Sequence, residues 1–184
     1  HAAMTRQTLP GTKRPPRPTD DLTSPEAIER LCARDRRFVA AAITELERLS
    51  PRVTKLLEVL QPLLGKTLVI GFTGPPGAGK STLVNALIRV LRSQGKTVGV
   101  IAVDPSSPVS GGAILGDRIR MTAALDDEGV FVRSLASRGY LGGLSPAAVR
   151  IIDALDAAGY DVVILETVGT GQNETVSPDQ LRQA

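Results

Sequence analysis

The stretch from Gly74 to Ser81, GPPGAGKS, constrains the fold and chemistry of this chain more than any other feature of its sequence. It fits GxxxxGK[ST] at each fixed position, and it lies between an apolar run and an amphipathic one, which indicates a strand–loop–helix unit. Glycines let successive N–H groups point at phosphate oxygens, and the helix starting near Lys80 adds the positive end of its dipole. The pattern predicts a nucleotide-phosphate site formed by Gly74, Pro75, Pro76, Gly77, Ala78, Gly79, Lys80, Ser81 and Thr82.

Within this site, two side chains have separate tasks. Lys80 is expected to bridge the β- and γ-phosphates of the nucleotide, and the Ser81 hydroxyl is expected to ligate Mg²⁺.

The pattern around this site is that of an α/β protein with a parallel sheet. Short runs rich in Val and Ile predict strands at 68–73, 97–103, 130–135 and 161–165, and helical stretches lie between them at 80–93, 117–125 and 146–158. Such alternation favours a parallel sheet that is covered on both faces. Before it, apolar residues at near-helical spacing predict a helical hairpin over 24–64, with cap-plus-proline starts at Ser24-Pro25 and Ser50-Pro51. We expect its apolar faces to pack on the main domain.

Acidic residues at strand ends are candidates for holding the metal and positioning water. Asp104 ends the second predicted strand and Glu166 ends the fourth, and ligands in open α/β sheets bind at the carboxyl ends of strands. Asp117, at the start of a predicted helix, is either a third such acid or simply an acid favoured by the helix dipole. The alternative for the other two is a solvated acid at a strand terminus.

Two glycine-rich loops follow these acids, at 105–116 and 167–171, and they are typical of segments that contact the γ-phosphate in nucleotide switches. The Gly169 N–H is a candidate donor to that phosphate, and Gln172 is a weaker candidate for orienting the attacking water.

Composition excludes several classes of function. Residues 1–18 carry four bases and no acid, so the remainder, with 18 bases and 19 acids, is electrically balanced, and nothing favours nucleic-acid binding. We expect the lone histidine, His1, to belong to a tag remnant ahead of Met4, which would remove histidine-based catalysis. The lone cysteine, Cys32, is expected to be a buried, inert thiol. No apolar run suggests a membrane span, so we expect a cytoplasmic protein.

Three blocks of sequence, in this order, resemble the MeaB/MMAA/ArgK family of GTPases. They are the phosphate loop at 74–82, the segment from Val103 to Met121 with VDPSSP and GGAILGDRIRM, and ETVGTGQ at 166–172. The stretch GYLGGLS at 139–145 is also similar to that family, and the resemblance covers about residues 24–175.

The resemblance implies a P-loop NTPase fold of the SIMIBI type and a GTPase that binds an adenosylcobalamin-dependent mutase such as methylmalonyl-CoA mutase. Hydrolysis of GTP would gate cofactor loading and protect the enzyme. By position, Lys80, Asp104, Asp117 and Glu166 match catalytic residues, and Ser81 with the three acids matches the magnesium set. The resemblance also implies a homodimer for a full-length chain. Some family members are instead described as ATPases or kinases linked to arginine transport.

One departure from the family concerns guanine recognition. The chain contains two asparagines, Asn85 and Asn173, and neither begins an Asn-Lys-x-Asp motif. We therefore expect the chain to be truncated, or joined across an omitted segment near residue 176. The expected organisation is a basic, proline-rich disordered leader at 1–23, the helical hairpin at 24–65, an incomplete GTPase domain at 66–176, and an unassigned segment at 177–184.

Two other functions fit the same motifs. A phosphoryl transferase would need an acceptor site and an arginine-bearing lid, for which the segment 133–143 is a candidate. A nucleotide-dependent adaptor with negligible hydrolysis would use the hairpin as a partner surface, and a large exposed apolar patch there would favour it.

Overall fold

The computed structural model describes residues 21–48, 50–75, 77–104, 126–136 and 144–167, and of Asp104 it describes the backbone. Five helices and four strands lie in this part of the chain. In chain order they are α1 Pro25–Cys32, α2 Arg36–Glu47, α3 Pro51–Leu60, a 3₁₀ turn Gln61–Leu63, β1 Leu68–Phe72, α4 Lys80–Ser93, β2 Val98–Asp104, β3 Val130–Ala136, α5 Pro146–Ala157 and β4 Val162–Thr167.

The four described strands form one parallel sheet in the order β1-β4-β2-β3. Each predicted strand is found within two residues of its expected bounds, and the predicted helices at 80–93 and 146–158 correspond to α4 and α5. The predicted helix at 117–125 lies outside the described residues. The α/β class with a parallel sheet is confirmed.

Both faces of the sheet are covered, as its apolar strands require. Along β4, Val163 and Leu165 pack into a core with α1, α2, α3 and α5, whereas Val162 and Ile164 pack with α4. This alternation follows from the two-residue period of a strand. The carboxyl ends of all described strands consequently meet at one edge, where the phosphate loop also lies.

The helical segment before the sheet differs from the predicted hairpin, because its first helix is broken in two. α1 ends at Cys32, Arg34 has a left-handed φ of 57°, and the Asp35 side chain accepts from the Arg37 N–H at 3.0 Å to cap α2. This capping bond stabilises a second helix start at Arg36, so two short helices form here instead of one continuous helix.

Each of the three Ser-Pro pairs among the described residues lies at the start of a helix, but only two of the serines cap their helix through the side chain. Ser24 and Ser145 cap α1 and α5 through their side chains, as their sequence context predicts. Ser50 precedes α3 but makes no capping bond, since its hydroxyl donates to Glu45 Oε1 at 2.7 Å instead.

The prediction that Cys32 is buried is wrong. Its side chain is exposed at the last residue of α1, although Sγ lies 3.6 Å from the Ala157 carbonyl oxygen. Ala27 and Leu31 form the buried stripe of this helix, and Cys32 is turned by about 100° from Leu31.

Polar bonds tie α2 to the sheet domain, in agreement with the expected packing of the helical segment. The Arg133 guanidinium, on β3, donates to Glu47 Oε2 at 2.8 Å, and Arg150 Nε donates to the Leu46 carbonyl oxygen at 2.9 Å. Arg133 is thus engaged on α2, which argues against its role as a lid arginine.

Large exposed apolar side chains in the described chain lie on β1 and α4. Leu68, Leu83 and Val90 are 60%, 58% and 53% exposed. None of them belongs to the helical segment, so the apolar patch that would favour an adaptor is not found among its described residues. No described helix has the length and apolar character needed to span a bilayer.

Candidate functional site

The phosphate loop joins the end of β1 to the start of α4, and its glycines take conformations that other residues avoid. Gly77 and Gly79 have φ values of 77° and 79°, and a Cβ at either would meet nothing within 4 Å. The glycines are therefore required by backbone conformation rather than by lack of space. The space that a Cβ would occupy at Gly77 or Gly79 is open to a ligand.

The start of α4 has N–H groups that no side chain caps. Gly79 occupies the N-cap position and offers no capping side chain, and the helix begins at Lys80. The first N–H groups of a helix lack intrahelical partners and carry partial positive charge. This end of α4 is suited to phosphate oxygens.

The Lys80 ammonium lies inside the loop. It donates to the carbonyl oxygen of Gly74 and, at 3.0 Å, to that of Pro75. These two bonds hold the positive charge of the side chain against the loop. The predicted contact of Lys80 with the β- and γ-phosphates stays a prediction.

The Ser81 hydroxyl donates to Glu166 Oε1 at 2.6 Å. Glu166, at 3% exposure, is one of the two polar side chains that the described chain buries, and it stands on β4, next to β1 in the sheet. A buried carboxylate needs such a donor to offset its desolvation. The bond brings together two residues, 85 positions apart in the chain, that the sequence assigned to the same metal.

Asp104 occupies the last position of β2, at the same edge of the sheet. Ala102 pairs with Glu166 and Val103 with Thr167, so the Asp104 backbone is two residues beyond the level of Glu166. This register is what the strand-end argument predicts.

Some expected site residues fall outside the described chain, namely Pro76, Asp117, Gly169 and Gln172. Thr82 is described and lies exposed in the first turn of α4. Within the described ranges, no three side chains of His, Cys, Asp or Glu approach one another closely enough to hold a metal.

Asp156 anchors the turn before β1, the strand that leads into the phosphate loop, and the sequence analysis missed it. Its carboxylate accepts from the backbone N–H groups of Gly65, Lys66 and Thr67 at 2.6, 3.1 and 3.1 Å, which anchors the turn that leads into β1. A signal was present, because an acid in the last turn of a helix opposes the dipole and suggests a compensating partner.

Comparisons with known proteins now bear on this site. The family described as methylmalonyl Co-A mutase-associated GTPase MeaB matches residues 39–179, more than half of the chain. This chain belongs to the MeaB family. The match includes the phosphate loop and the strand ends with Asp104 and Glu166, so the resemblance drawn from the three sequence blocks is confirmed.

Individual relatives of this MeaB-family chain support the same family assignment. GTPase ArgK of Escherichia coli is 48% identical over 160 residues, which cover 85% of this chain and 48% of ArgK. The methylmalonic aciduria type A homolog, mitochondrial, of Mus musculus is 38% identical over 160 residues, covering 79% of this chain and 39% of that protein.

The solved structure described as the LAO/AO transport system kinase is 37% identical to this chain, and the TM-score between the two structures is 0.64. The match covers 84% of this chain and 45% of that one. The predicted P-loop fold is confirmed by this likeness. The chain spans about half the length of the curated relatives it matches, or less.

Proposed function

We propose that this MeaB-family protein is a Mg²⁺-dependent switch that binds and hydrolyses GTP and serves as a chaperone for a mutase. The mutase would be an adenosylcobalamin-dependent enzyme of the methylmalonyl-CoA type, whose cofactor loading and protection the switch would gate. The observation that carries the proposal is the hydrogen bond between Ser81 and the buried Glu166 beside Lys80, in a chain of this family.

Phosphate binding follows from three features of the loop. The space that a Cβ would fill at Gly77 and Gly79 is open, the uncapped start of α4 adds N–H donors, and Lys80 adds a full charge. A phosphate group would replace the two carbonyl contacts of the Lys80 ammonium with contacts in which both partners carry charge.

Ser81, in the first turn of α4, and Glu166, on β4, fit Mg²⁺, since they offer the hard oxygen ligands that this ion prefers. The ion, when bound, supplies charge neutralisation on the β- and γ-phosphate oxygens. We propose that Ser81 holds it together with Asp104, Asp117 and Glu166, directly or through water. The 2.6 Å bond already holds the Ser81 oxygen and the Glu166 carboxylate within reach of one ion.

Hydrolysis in this proposal is an in-line attack of water on the γ-phosphate, with catalysis by positioning and charge. Asp104, Asp117 and Glu166 are the candidates for orienting that water, and Gly169 for donating its N–H to the phosphate. Charge-neutral variants separate the roles: Asp104→Asn, Asp117→Asn and Glu166→Gln should each lower turnover, and the one that orients water should leave GDP affinity unchanged.

The guanine preference and the partner are supported by relationship alone. The relatives are named as GTPases and the family name includes methylmalonyl Co-A mutase, whereas the chain holds no Asn-Lys-x-Asp motif. A homodimer for the longer protein and a cytoplasmic location belong to the same proposal.

Calorimetric titration with GDP and with ADP, each with Mg²⁺, tests the nucleotide site. We expect GDP to bind, ADP to be silent, and Lys80→Ala to weaken GDP binding by about 100-fold, the order expected when one partner of a charge-assisted contact is removed. Ser81→Ala should abolish the Mg²⁺ dependence, whereas the matched Ser81→Thr keeps the hydroxyl and should retain it. A preference for ADP, or silence from both nucleotides with a folded chain, would contradict the proposal.

A phosphoryl transferase is the second candidate, because the solved relative is described as a kinase. It differs from the leading proposal in requiring an acceptor. Release of one inorganic phosphate per GTP consumed, with no acceptor added, supports the hydrolytic switch. Turnover that starts only when a hydroxyl-bearing acceptor is supplied supports the kinase.

A further inference from the structure

The strand β1 has the sequence of a strand that is covered on both faces, but the structure leaves it partly uncovered. Its residues, LVIGF, include no polar side chain, and in parallel sheets such runs belong to strands covered on both faces. The similar run of β4 has five buried residues, whereas β1 has none, and Leu68 is 60% exposed. Among the described strands, β1 pairs with β4 alone. The other edge of β1 is therefore an apolar edge that no described strand pairs with.

The helix α4 has an apolar flank that the described sheet does not cover. Val84 and Ile88 are buried against the sheet. Leu83 and Val90, 58% and 53% exposed, are seven residues apart, so they share a side of the helix that is turned by about 130° from the buried side. Arg92 is turned from the buried side in the opposite direction, and it bonds a carboxylate that precedes β3. Leu83 and Val90 therefore lie on the flank of α4 that is nearer to β1.

The free edge of β1 and this flank of α4 form one surface, which we call the β1–α4 face. Its edge offers the backbone N–H and C=O groups of a strand, and its flank offers apolar side chains. A strand that pairs in parallel with β1 needs a crossover of a dozen or more residues, which is usually a helix on one face of the sheet. A strand together with such a helix would satisfy both parts of the face.

The parts of this sequence outside the described residues are poorly suited to this role. Residues 1–20 contain four prolines, which have no N–H for a sheet ladder, and residues 168–184 contain no two adjacent apolar side chains. The segments 105–125 and 137–143 flank β3, which lies at the opposite edge of the described sheet. The occupant of the β1–α4 face must therefore come from other chain.

The relatives contain such additional chain. The match to E. coli ArgK covers 85% of this chain but 48% of ArgK, and the match to the solved structure covers 84% of this chain but 45% of that one. Each relative thus has about as much chain again outside the match as within it, which is ample for a strand and its crossover helix.

We propose that the β1–α4 face is the surface on which the remaining part of a longer protein docks, by a strand parallel to β1 and a helix over Leu83 and Val90. In the longer protein β1 is then an interior strand, as its sequence predicts. The inference requires neither the nucleotide nor the mutase of the proposed function, so its test uses neither.

The test compares thiol labelling in two proteins, this chain and the same chain extended with the part of E. coli ArgK that follows the match. Both carry Cys32→Ser, because Cys32 is exposed. Single thiols are introduced by Leu68→Cys, Leu83→Cys and Val90→Cys. The matched control is Arg89→Cys, which is also exposed on α4 but is turned by about 120° from Leu83, on the opposite flank.

The expected result is a difference between the two proteins at the β1–α4 face alone. In the unextended chain all four thiols should react at similar rates, because all four positions are exposed. In the extended chain the thiols at 68, 83 and 90 should react at least about tenfold more slowly, because a covered thiol must wait for local opening, and the control at 89 should stay within about twofold.

Three outcomes would overturn the inference. Equal rates in the two proteins would show that the added chain does not cover the face. Slow labelling in the unextended chain, where sedimentation shows a monomer, would assign the face to other segments of this same chain. Slow labelling only where sedimentation shows a dimer would assign it to a second copy. Circular dichroism checks that each variant is folded. If the extended chain does not fold, the three aligned positions are labelled in intact ArgK, where fast labelling refutes the proposal.

Discussion

Two aspartates on the last turns of α5 should affect stability in opposite directions, although they are three residues apart and carry the same charge. Asp156 accepts three backbone hydrogen bonds from the turn before β1, at 2.6, 3.1 and 3.1 Å. Asp153 accepts none from the described residues. Burial, and to a lesser degree the charge of Asp156, raises the pKa of Asp153 above its ordinary value of 3.8.

The perturbation is Asp156→Asn, which preserves size and replaces one acceptor oxygen with an amide NH₂. Whichever way the amide turns, at least one backbone N–H of residues 65–67 then faces a donor instead of an acceptor. A hydrogen bond to a charged group contributes about 1.5–3 kcal/mol when sheltered, and because this turn is partly exposed we expect a total loss of about 1–3 kcal/mol. In a chain of this size that corresponds to a fall in Tm of about 3–10 °C.

The matched control is Asp153→Asn, which we expect to change the stability in the opposite direction. A carboxyl group whose folded-state pKa is raised holds its proton more tightly in the folded state, so its ionised form destabilises the fold at neutral pH. That cost is absent below about pH 3.8, the ordinary value, and grows as pH rises through the raised folded-state pKa. The variant should therefore match or exceed the wild-type Tm at pH 7, and its advantage should shrink as pH falls to 4.5.

Thermal unfolding followed by circular dichroism at 222 nm is the suitable assay, since the chain contains no tryptophan. The expected order of Tm at pH 7 is Asp153→Asn, wild type, Asp156→Asn, from highest to lowest. An unchanged Tm for Asp156→Asn would refute the view that its carboxylate anchors the turn. An equal fall in Tm for both variants would show that the hydrogen bonds of Asp156 do not distinguish it from Asp153.

Three further predictions concern single side chains. The buried Tyr160 hydroxyl has no hydrogen-bond partner among the described residues, so Tyr160→Phe should leave Tm unchanged or raise it, and a fall of several degrees would contradict this. A Cβ on Gly129 would lie within 2.1–2.4 Å of the Arg92 guanidinium, which bonds both Asp127 oxygens at 2.8 Å, so Gly129→Ala should cost about 1–2 kcal/mol in urea unfolding. In an Arg92→Ala background the same change should cost almost nothing. Cys32 is exposed, so a maleimide should label it stoichiometrically in the folded chain, and labelling only after unfolding would contradict this.

Local signals account for what the sequence predicted well. Runs of Val and Ile between glycines located β1 to β4 within two residues, and Ser-Pro pairs located the starts of α1, α3 and α5. The meeting of Ser81 and Glu166 also followed from local signals, because a parallel sheet brings the ends of its strands to one edge.

Long-range and competing signals account for what the sequence did not show. Asp156 lies about 90 residues from the turn it anchors, and its place in the last turn of a helix suggests a partner without identifying which one. The break at Arg34 was hidden because apolar residues on both sides kept nearly helical spacing, while the Asp35 cap that starts α2 is a single side chain. Cys32 was predicted to be buried because cysteines on average are buried, but that average does not show which side of a short helix faces solvent.

The position of β1 in the sheet has a consequence for how the phosphate loop behaves in solution. Within the described sheet, β1 has a neighbour on one side, β4, so every second amide of Leu68–Phe72 points away from the sheet. Those amides should exchange with deuterium much faster than their counterparts in β2, which is paired on both sides. The strand that leads to Gly74 and Lys80 in the proposed nucleotide site is therefore also the strand whose hydrogen bonding another chain segment can complete. Anything that pairs with this edge will slow exchange at the base of the phosphate loop.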